Sequence, residues 1–377
     1  MTPLRIGIVT PRYFPFVGGV EHVVRNVAEQ LVGLGMCVTV HTRQLSNALP
    51  KNEVVNRVMV KRHSCVIHQS NQRYDGSSQG FLLKEQPSMG LVASLLRDPP
   101  NVVHVNDIHD LTSLASIASA TCAKKSKVIV TPHYHGSGHS SAASVFWRGG
   151  HVSVGAFLRR ADMIQAVSET ERDFMRRDFA IPKQKICVIP NGVDEDLLDY
   201  RWRPQKNRLR LIYAGRLVPY KRVSLVIRSI ALVPAKYAVE LVIVGAGVDE
   251  LNLRNLVKEM GLQDRVRFLG FVPRDRYFRE VSESSALVNL SEKEAFGLTV
   301  YEALCMGVPV IVSRSGALVE FASHAAFALS ATPSPEDVAS AITTLAEGKF
   351  ACRGNFAPVT WREVAERLLS VYRSALA

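Results

Sequence analysis

Two carboxylates stand in an otherwise apolar stretch of the sequence, EAFGLTVYEALCMGVPVIV. Glu294 opens the stretch, and Glu302 follows eight positions later. A buried carboxylate without a partner is expensive, so hydroxyl or amide donors should meet both acids. The hydroxyls of a sugar or a ribose would do so, and a helix cap with one lysine partner is the structural alternative. The stretch therefore marks a candidate site for a hydroxyl-rich ligand.

Two basic residues follow the apolar segment LRLIYAG. Arg216 comes directly after it, and Lys221 lies five positions later, where a helical pattern begins. An arginine fork and a lysine point charge suit a pyrophosphate group. A solvated basic loop is the alternative interpretation, because Arg222 is there too.

A pair of glycines opens the first helical pattern, in PRYFPFVGG. Gly18 and Gly19 would let the backbone approach a ligand, and a helix N-terminus offers N–H groups to an anion. A tight turn explains the pair equally well. The segment VGAGVDEL has Glu250 where a dinucleotide fingerprint needs its third glycine. We therefore interpret Gly245 and Gly247 as a tight strand-to-helix turn and expect no nicotinamide cofactor.

Two groups of residues have the composition of a metal site. Asp194 and Asp196 form an Asp-x-Asp sequence, and three histidines lie close together in the chain: His133, His135 and His139. The acidic pair lies in a predicted hinge, and no cysteine or acid near the histidines completes a tetrahedral set. We expect no metal at either group.

Apolar strands alternate with helical patterns in both halves of the chain. The strands are RIGIVT, CVTVHT, NVVHVND, KVIVTPH and MIQAVS, then LRLIYAG, VELVIVGAG, RVRFLGFV, SALVNLS and VPVIVS. Such strands favour parallel sheets covered on both faces. The charged segment 192–208 predicts a hinge, so we expect two doubly wound, Rossmann-like parallel-sheet domains facing a cleft. Ligands then bind at the carboxyl ends of the strands.

The acidic stretch fits this pattern as a strand-to-helix connection. Residues 298–306 have helix-forming character, Gly307 supplies a stop, and Pro309 follows. Phe296-Gly297 therefore marks the turn, and Glu302 lies about one turn inside the helix. Residues 44–90 are polar and irregular and are left unassigned.

Composition excludes several classes of protein. The formal charge of +12 comes from Lys and Arg residues spread over both halves, without a basic run, so we expect no nucleic-acid partner. An anionic membrane or phosphorylated small molecules remain as partners. No uncharged apolar run approaches the ~20 residues that span a bilayer. Six scattered cysteines without a CxxC pair predict reduced thiols and a cytoplasmic protein.

The ordered set of motifs resembles the retaining glycosyltransferases of family 4, which have the GT-B fold. The matching segments are FVGGVEHVVRNVAEQL, VIVTPH, QAVSETERDFM, VIPNGVD, YAGRLVPYK, LVIVGAG, VRFLGFVP and the E-x7-E stretch. They cover most of the chain in order. The resemblance implies an acceptor-side domain over 1–195 and a nucleotide-sugar-binding domain over 205–357. A final helix within 358–377, TWREVAERLLSVY, would cross back to the first domain.

The resemblance also implies roles for the second-half residues. Glu302 matches the acid that accepts the ribose hydroxyls, and Glu294 matches the acid that contacts the donor sugar. Arg216 and Lys221 match the pair that holds the diphosphate. Val272 lies where backbone groups meet the base. Four backbone N–H groups would meet the sugar and the phosphates: those of Phe296, Gly297, Leu298 and Thr299.

In the first half, Gly18 and Gly19 match the loop that closes on the diphosphate. His133 matches the histidine at the junction of donor and acceptor, and we count it as catalytic together with Arg216, Lys221 and Glu294. The chain departs from the family where it has Lys221-Arg222 in place of Lys-Gly. It also has FASHAAFAL after Glu320, where a turn containing glycine is usual.

The activity implied is sugar transfer from a nucleoside diphosphate sugar to an acceptor hydroxyl, with retention and without a metal or cofactor. The acceptor is a small molecule, a glycan or a lipid-linked sugar. The segment 144–160 mixes aromatics with arginines, which fits either peripheral contact with an anionic membrane or ordinary helix packing. A nucleotide-sugar epimerase and a non-catalytic nucleotide-sugar-binding module are the alternatives.

Overall fold

The computed structural model describes residues 3–64, 87–136, 152–205, 208–351 and 356–377. Contacts divide the chain into two compact units. The first contains the described residues up to Gly192 together with Val359–Ala377, and the second is Val193–Pro358. The boundary thus falls three residues before the end of the predicted first domain.

A mixed, mostly parallel sheet forms the centre of the first unit. Its strands are β1 (Arg5–Val9), β2 (Cys37–Arg43), β3 (Asn52–Val55), β4 (Val58–His63), β5 (Val102–Asn106), β6 (Lys127–Thr131), β7 (Met163–Ala166) and β8 (Ile186–Val188). The spatial order is β3-β4-β2-β1-β5-β6-β7-β8. Every neighbouring pair is parallel except β3 and β4.

Helices cover the two faces of this sheet. They are α1 (Gly19–Gly33), α2 (Met89–Arg97), α3 (Leu111–Ala123), α4 (Glu169–Phe179) and the terminal helix, here α10 (Trp361–Leu376). Helix α10 packs against α1. Its Tyr372 hydroxyl lies 2.6 Å from Nδ1 of the buried His104 in β5, so the last residues of the sequence complete the core of the first unit.

The second unit is built on a parallel sheet. Its strands are β9 (Leu209–Ala214), β10 (Val239–Val244), β11 (Val266–Gly270), β12 (Ala286–Asn289), β13 (Val310–Ser313) and β14 (Phe327–Leu329), in the order β11-β10-β9-β12-β13-β14. Helices α5 (Val223–Leu232), α6 (Glu250–Glu259), α7 (Arg274–Ser282), α8 (Leu298–Cys305) and α9 (Pro335–Ala346) connect them. Strands β10, β12 and β13 are buried along their whole length, which explains their continuous apolar sequences.

A hairpin lies in the segment left unassigned from sequence. Strands β3 and β4 are joined by Asn56 and Arg57, which both have positive φ, at 47° and 70°. Asn-Gly is the usual sequence signal of such a two-residue turn. Because arginine occupies the second position here, the turn could not be predicted from the sequence. Residues 65–86 of that segment lie outside the described residues.

The predicted hinge is largely part of the second unit. Residues 195–199 form a 3-10 helix whose Leu197 is fully buried. The Trp202 amide donates to the Met306 carbonyl at 2.9 Å, and its indole N–H donates to the Ser284 carbonyl at 2.9 Å. Two apolar side chains thus anchor a segment whose charged composition alone suggested a free linker.

Candidate active site

The two acids of the opening stretch lie at the carboxyl end of the second sheet. Glu294 is in the loop between β12 and α8, and Glu302 is in α8 itself. Gly297 caps this helix with φ 93°, and a Cβ there would lie 2.8 Å from the Leu318 side chain. Glycine is therefore required by both the backbone conformation and the space at the turn. The predicted turn and helix are confirmed.

Lys221 is the cationic partner of Glu294. Its Nζ donates to Glu294 Oε1 at 2.5 Å, and Asn289 Nδ2 donates to the same oxygen at 3.3 Å. The two charged side chains are 14% and 13% exposed, so they are screened less than a surface pair. The structure brings together two of the predicted catalytic residues.

Arg216 lies beside this pair. Its Nη2 donates to the Tyr220 hydroxyl at 2.9 Å, and its backbone carbonyl accepts from the buried Tyr213 hydroxyl at 2.9 Å. Tyr220 is the residue directly before Lys221. The guanidinium is exposed, so it is held at its base and open to a ligand at its tip.

Glu302 is almost completely buried and has two donors. Arg274 Nη2 donates to Oε1 at 2.8 Å, and the Tyr277 hydroxyl donates to Oε2 at 2.7 Å. Burial raises the pKa of Glu302, while the charge of Arg274 and the two hydrogen bonds act in the opposite direction. Arg274 also donates from Nη2 to Asp194 Oδ2 at 2.5 Å.

Arg274 and Tyr277 are the residues that sequence analysis missed. They lie in α7, three positions apart and therefore on one face of the helix. The spacing was available in the sequence, but their partner Glu302 lies 28 and 25 positions further along the chain. Asp194, the first acid of the Asp-x-Asp sequence, is here a partner of Arg274.

The start of α8 presents backbone amides at the same edge. Gly297 provides no side-chain cap, so the first amides of the helix, including those of Leu298 and Thr299, are not capped by that residue. Phe296 is buried and stacks edge-on against Tyr301, with ring centroids 5.1 Å apart. Val272, placed near the base by resemblance, is buried in the loop between β11 and α7.

The glycines of VGAG form a tight strand-to-helix turn, as predicted. A Cβ on Gly245 would lie 1.9 Å from the Gly215 carbonyl oxygen, and one on Gly247 would lie 2.2 Å from that of Leu217. The close approach of these backbones explains why glycine is needed at both positions.

In the first unit, Gly18 and Gly19 begin α1. Gly18 has an extended backbone, but a Cβ there would lie 2.2 Å from Glu21 Oε2. That carboxylate is held by Arg12 Nε, which contacts Glu21 Oε1 at 2.7 Å. A side chain at position 18 would thus displace the Glu21 carboxylate from its place beside Arg12, whereas a Cβ on Gly19 would meet no atom within 4 Å.

His133 follows β6 and has a positive φ of 50°. Its Nε2 lies 3.4 Å from Asn106 Oδ1. Burial lowers its pKa to about 4, and the neighbouring His109 acts in the same direction, so the imidazole is neutral at pH 7. His139 of the histidine group lies outside the described residues. Among the residues that are described, no three His, Cys, Asp or Glu side chains are placed to hold a metal ion.

Comparison with known proteins gives the family. Residues 17–197 match the model of Glycosyltransferase Family 4, and residues 195–355 match that of glycosyl transferases group 1. The two matches together run from residue 17 to residue 355. The chain belongs to the family 4 type of glycosyltransferases. An uncharacterized glycosyltransferase of Methanocaldococcus jannaschii is 24% identical over 399 aligned residues, which cover 99% of each chain.

Solved structures give this glycosyltransferase the GT-B fold. Sucrose-phosphate synthase from Thermosynechococcus elongatus superposes with a TM-score of 0.76 at 19% identity, over 98% of each chain. HepE of Anabaena, in complex with UDP and glucose, superposes with a TM-score of 0.71 at 18% identity. That superposition covers 99% of this chain and 97% of HepE.

Proposed function

We propose that this glycosyltransferase moves a sugar from a nucleoside diphosphate sugar to an acceptor hydroxyl with retention of the anomeric configuration. The observation that carries the proposal is the cluster of Arg216, Lys221 and Glu294 at the carboxyl end of the second sheet, with Glu302 in the adjoining helix. The bound UDP and glucose of the similarly folded HepE support this donor class.

Each group in the cluster has a chemical task. Arg216 and Lys221 neutralise the diphosphate, and the amides of Phe296, Gly297, Leu298 and Thr299 add donors to its oxygens and to the sugar. Glu294 accepts from the sugar hydroxyls, and Lys221 has further N–H donors besides the one that meets Glu294.

The remaining residues contact the other parts of the reactants. Glu302 accepts from the ribose hydroxyls, and backbone groups near Val272 meet the base. Gly18 and Gly19 give a ligand access to the amides at the start of α1. His133, neutral at pH 7 because burial lowers its pKa, lines the junction of donor and acceptor.

The reaction exchanges one bond at the anomeric carbon for another. The bond to the diphosphate oxygen breaks, and the bond to the acceptor oxygen forms on the same face. The acceptor's proton passes to the leaving diphosphate, so no protein nucleophile is assigned. Arg216, Lys221 and the helix N-terminus stabilise the negative charge that grows on the diphosphate. We propose that this requires no metal or other cofactor.

The proposal extends to the class of acceptor and to the location of the protein. The acceptor is a soluble hydroxyl compound, a glycan or a lipid-linked sugar. Within the described part of the chain, no helix combines the length and the apolar character needed to cross a membrane. We propose a cytoplasmic protein that contacts an anionic membrane through the segment 144–160. Residues 144–151 of that segment lie outside the described residues.

A panel of nucleotide sugars tests the proposal. Each is incubated with the protein, with and without soluble and lipid-linked acceptors, and release of the nucleoside diphosphate is measured. Release that an acceptor stimulates supports transfer, and the anomeric configuration of the product, determined by NMR, tests retention. Interconversion of the sugar without release would identify an epimerase. Binding without any chemistry would identify a binding module.

A further inference from the structure

Arg274 connects two acids that are far apart in the sequence. Its Nη2 donates to both Asp194 Oδ2 and Glu302 Oε1, at 2.5 and 2.8 Å, and its Nε donates to Asp194 at 3.0 Å. The guanidinium carbon lies 4.5 Å from the centre of the Phe278 ring. Two acids at its edge and a ring on its face therefore fix the plane of this guanidinium.

Tyr277 holds the other oxygen of Glu302. Its hydroxyl is buried and donates to Oε2 at 2.7 Å. The pKa of Tyr277 lies well above its usual range because of burial and the nearby carboxylate. It therefore remains a donor at any physiological pH. An ionised carboxylate has about four acceptor positions. With one donor on each oxygen, about two positions remain, one on each oxygen, which suits two adjacent hydroxyl groups.

The charges around Glu302 do not all favour its ionised form. Burial is the largest influence and raises its pKa, and the negative charge of Asp194 acts in the same direction. Arg274 opposes both, with help from the Tyr277 hydrogen bond. Cys305, one turn along α8, has a raised pKa and stays neutral. Arg274 is thus the cation that hydrogen-bonds to Glu302 and the largest influence that favours its ionised form.

We propose that Arg274 is a positioning residue for the donor: by bridging Asp194 and Glu302 it keeps the Glu302 carboxylate ionised and in one orientation for the ribose hydroxyls. This inference rests on the proposed role of Glu302. Asp194 keeps the guanidinium in place, because it accepts hydrogen bonds from both Nε and Nη2 of Arg274. Tyr277 fixes the second carboxylate oxygen.

The test measures dissociation constants across pH 5 to 9. The ligand is whichever of UDP, GDP and ADP binds the wild type most tightly. Its binding is measured by isothermal titration calorimetry. The variants are Arg274→Gln, Arg274→Lys and Glu302→Gln. Arg279→Gln is the matched control, because Arg279 lies in the same helix, is 61% exposed and pairs only with Asp275 among the described residues. Each constant is divided by the wild-type value at the same pH, so titration of the nucleotide itself cancels.

For Arg274→Gln we expect affinity to fall by about ten- to a hundredfold at pH 7. Burial and Asp194 both raise the pKa of Glu302, and the substitution removes the largest influence that opposes them. The ionised form binds, so affinity should recover as the pH rises. The pH at which half of the affinity is lost should lie about one to three units above that of the wild type.

The other variants separate charge from geometry. Arg274→Lys keeps a cation but not the fork, so affinity should fall while the pH profile stays that of the wild type. Arg279→Gln should match the wild type throughout. A uniform loss for Arg274→Gln at every pH, or a Lys variant with the displaced profile, would overturn the proposal. If instead Glu302→Gln binds as well as the wild type, the ribose role of Glu302 fails, and with it the proposed donor geometry.

Discussion

At the scale of single residues, Glu294 and Glu302 differ in what remains available to a ligand. Glu294 is partly exposed and shares one oxygen between Lys221 and Asn289. Glu302 is buried, and each of its oxygens already has a donor. Glu294 can therefore exchange partners when a sugar binds, whereas Glu302 can only add hydroxyls to a fixed carboxylate.

Arg216 allows a sharp test of transition-state stabilisation. Its guanidinium is open at the tip, and the negative charge on the diphosphate grows as the sugar departs. A group that binds this charge more strongly in the transition state raises kcat. Arg216→Ala should therefore lower kcat by about a hundred- to a thousandfold, and Arg216→Lys should restore only part of it.

A comparison of two donors checks the role of Arg216. A donor with a better leaving group needs less help, so the alanine variant should lose less activity on it. The control is Arg228→Ala, which alters an exposed arginine in the following helix and should leave both rates unchanged. Equal losses on both donors, or a change in KM alone, would make Arg216 a binding or structural residue.

The site residues that follow apolar segments could be predicted from the sequence. The residues that hydrogen-bond to them from a helix could not. Arg216 and Glu294 are conspicuous because they follow apolar segments at predicted strand ends, and Glu302 because it interrupts an apolar helix. Arg274 lies in a helix with four other charged residues and has no such contrast. Its role depends on Asp194, 80 positions earlier, and pairing over that distance is decided by tertiary structure.

At the scale of elements, the turn between β9 and α5 contains the departure from the family pattern. Arg222 caps α5 with φ 53°, a left-handed conformation that glycine adopts without strain. Its Nε donates to Glu292 Oε1 at 2.9 Å, and its Nη1 donates to the Ala331 carbonyl at 2.7 Å. The side chain thus connects the turn to the loops after β12 and β14 and compensates for the strained backbone.

Two substitutions of Arg222 should separate the cost of its left-handed backbone from the loss of its two side-chain hydrogen bonds. Arg222→Ala and Arg222→Gly both lose the two bridges, but alanine keeps the strain. The glycine variant should therefore be more stable by about 1 kcal/mol, which corresponds to a melting temperature about 2–4 °C higher for a unit of this size. Thermal unfolding monitored by circular dichroism measures the difference.

Arg228 provides the matched control for this prediction. It is exposed in the interior of α5, where the backbone is helical. There the order should reverse, with alanine more stable than glycine by about 1 kcal/mol. If the alanine variant is also the more stable one at position 222, the left-handed backbone carries no strain that glycine can relieve.

At the scale of the whole molecule, the alternation of apolar strands and helices was sufficient to predict ten parallel strands in the two sheets, whereas β3, β4, β8 and β14 were not predicted. Such strands are buried on both faces, so their sequences stand out, as VELVIV does in β10. The β3–β4 hairpin was not predictable, because it carries neither a buried apolar run nor an Asn-Gly turn. The anchoring of 193–205 depends on Leu197 and Trp202, two apolar residues in a charged segment.

The charge distribution of the chain leads to a prediction about metals. The net charge is +12, and in the second unit Arg216, Lys221 and the start of α8 lie where the proposed diphosphate binds. Fixed cations and helix amides can neutralise a diphosphate. We therefore expect an excess of EDTA to leave the rate of transfer unchanged, measured as acceptor-dependent release of nucleoside diphosphate.

Asp196→Asn, which alters the exposed second acid of the Asp-x-Asp sequence, should behave as the wild type with and without EDTA. Loss of activity that Mg²⁺ or Mn²⁺ restores would contradict this and would return Asp194 and Asp196 to consideration as metal ligands.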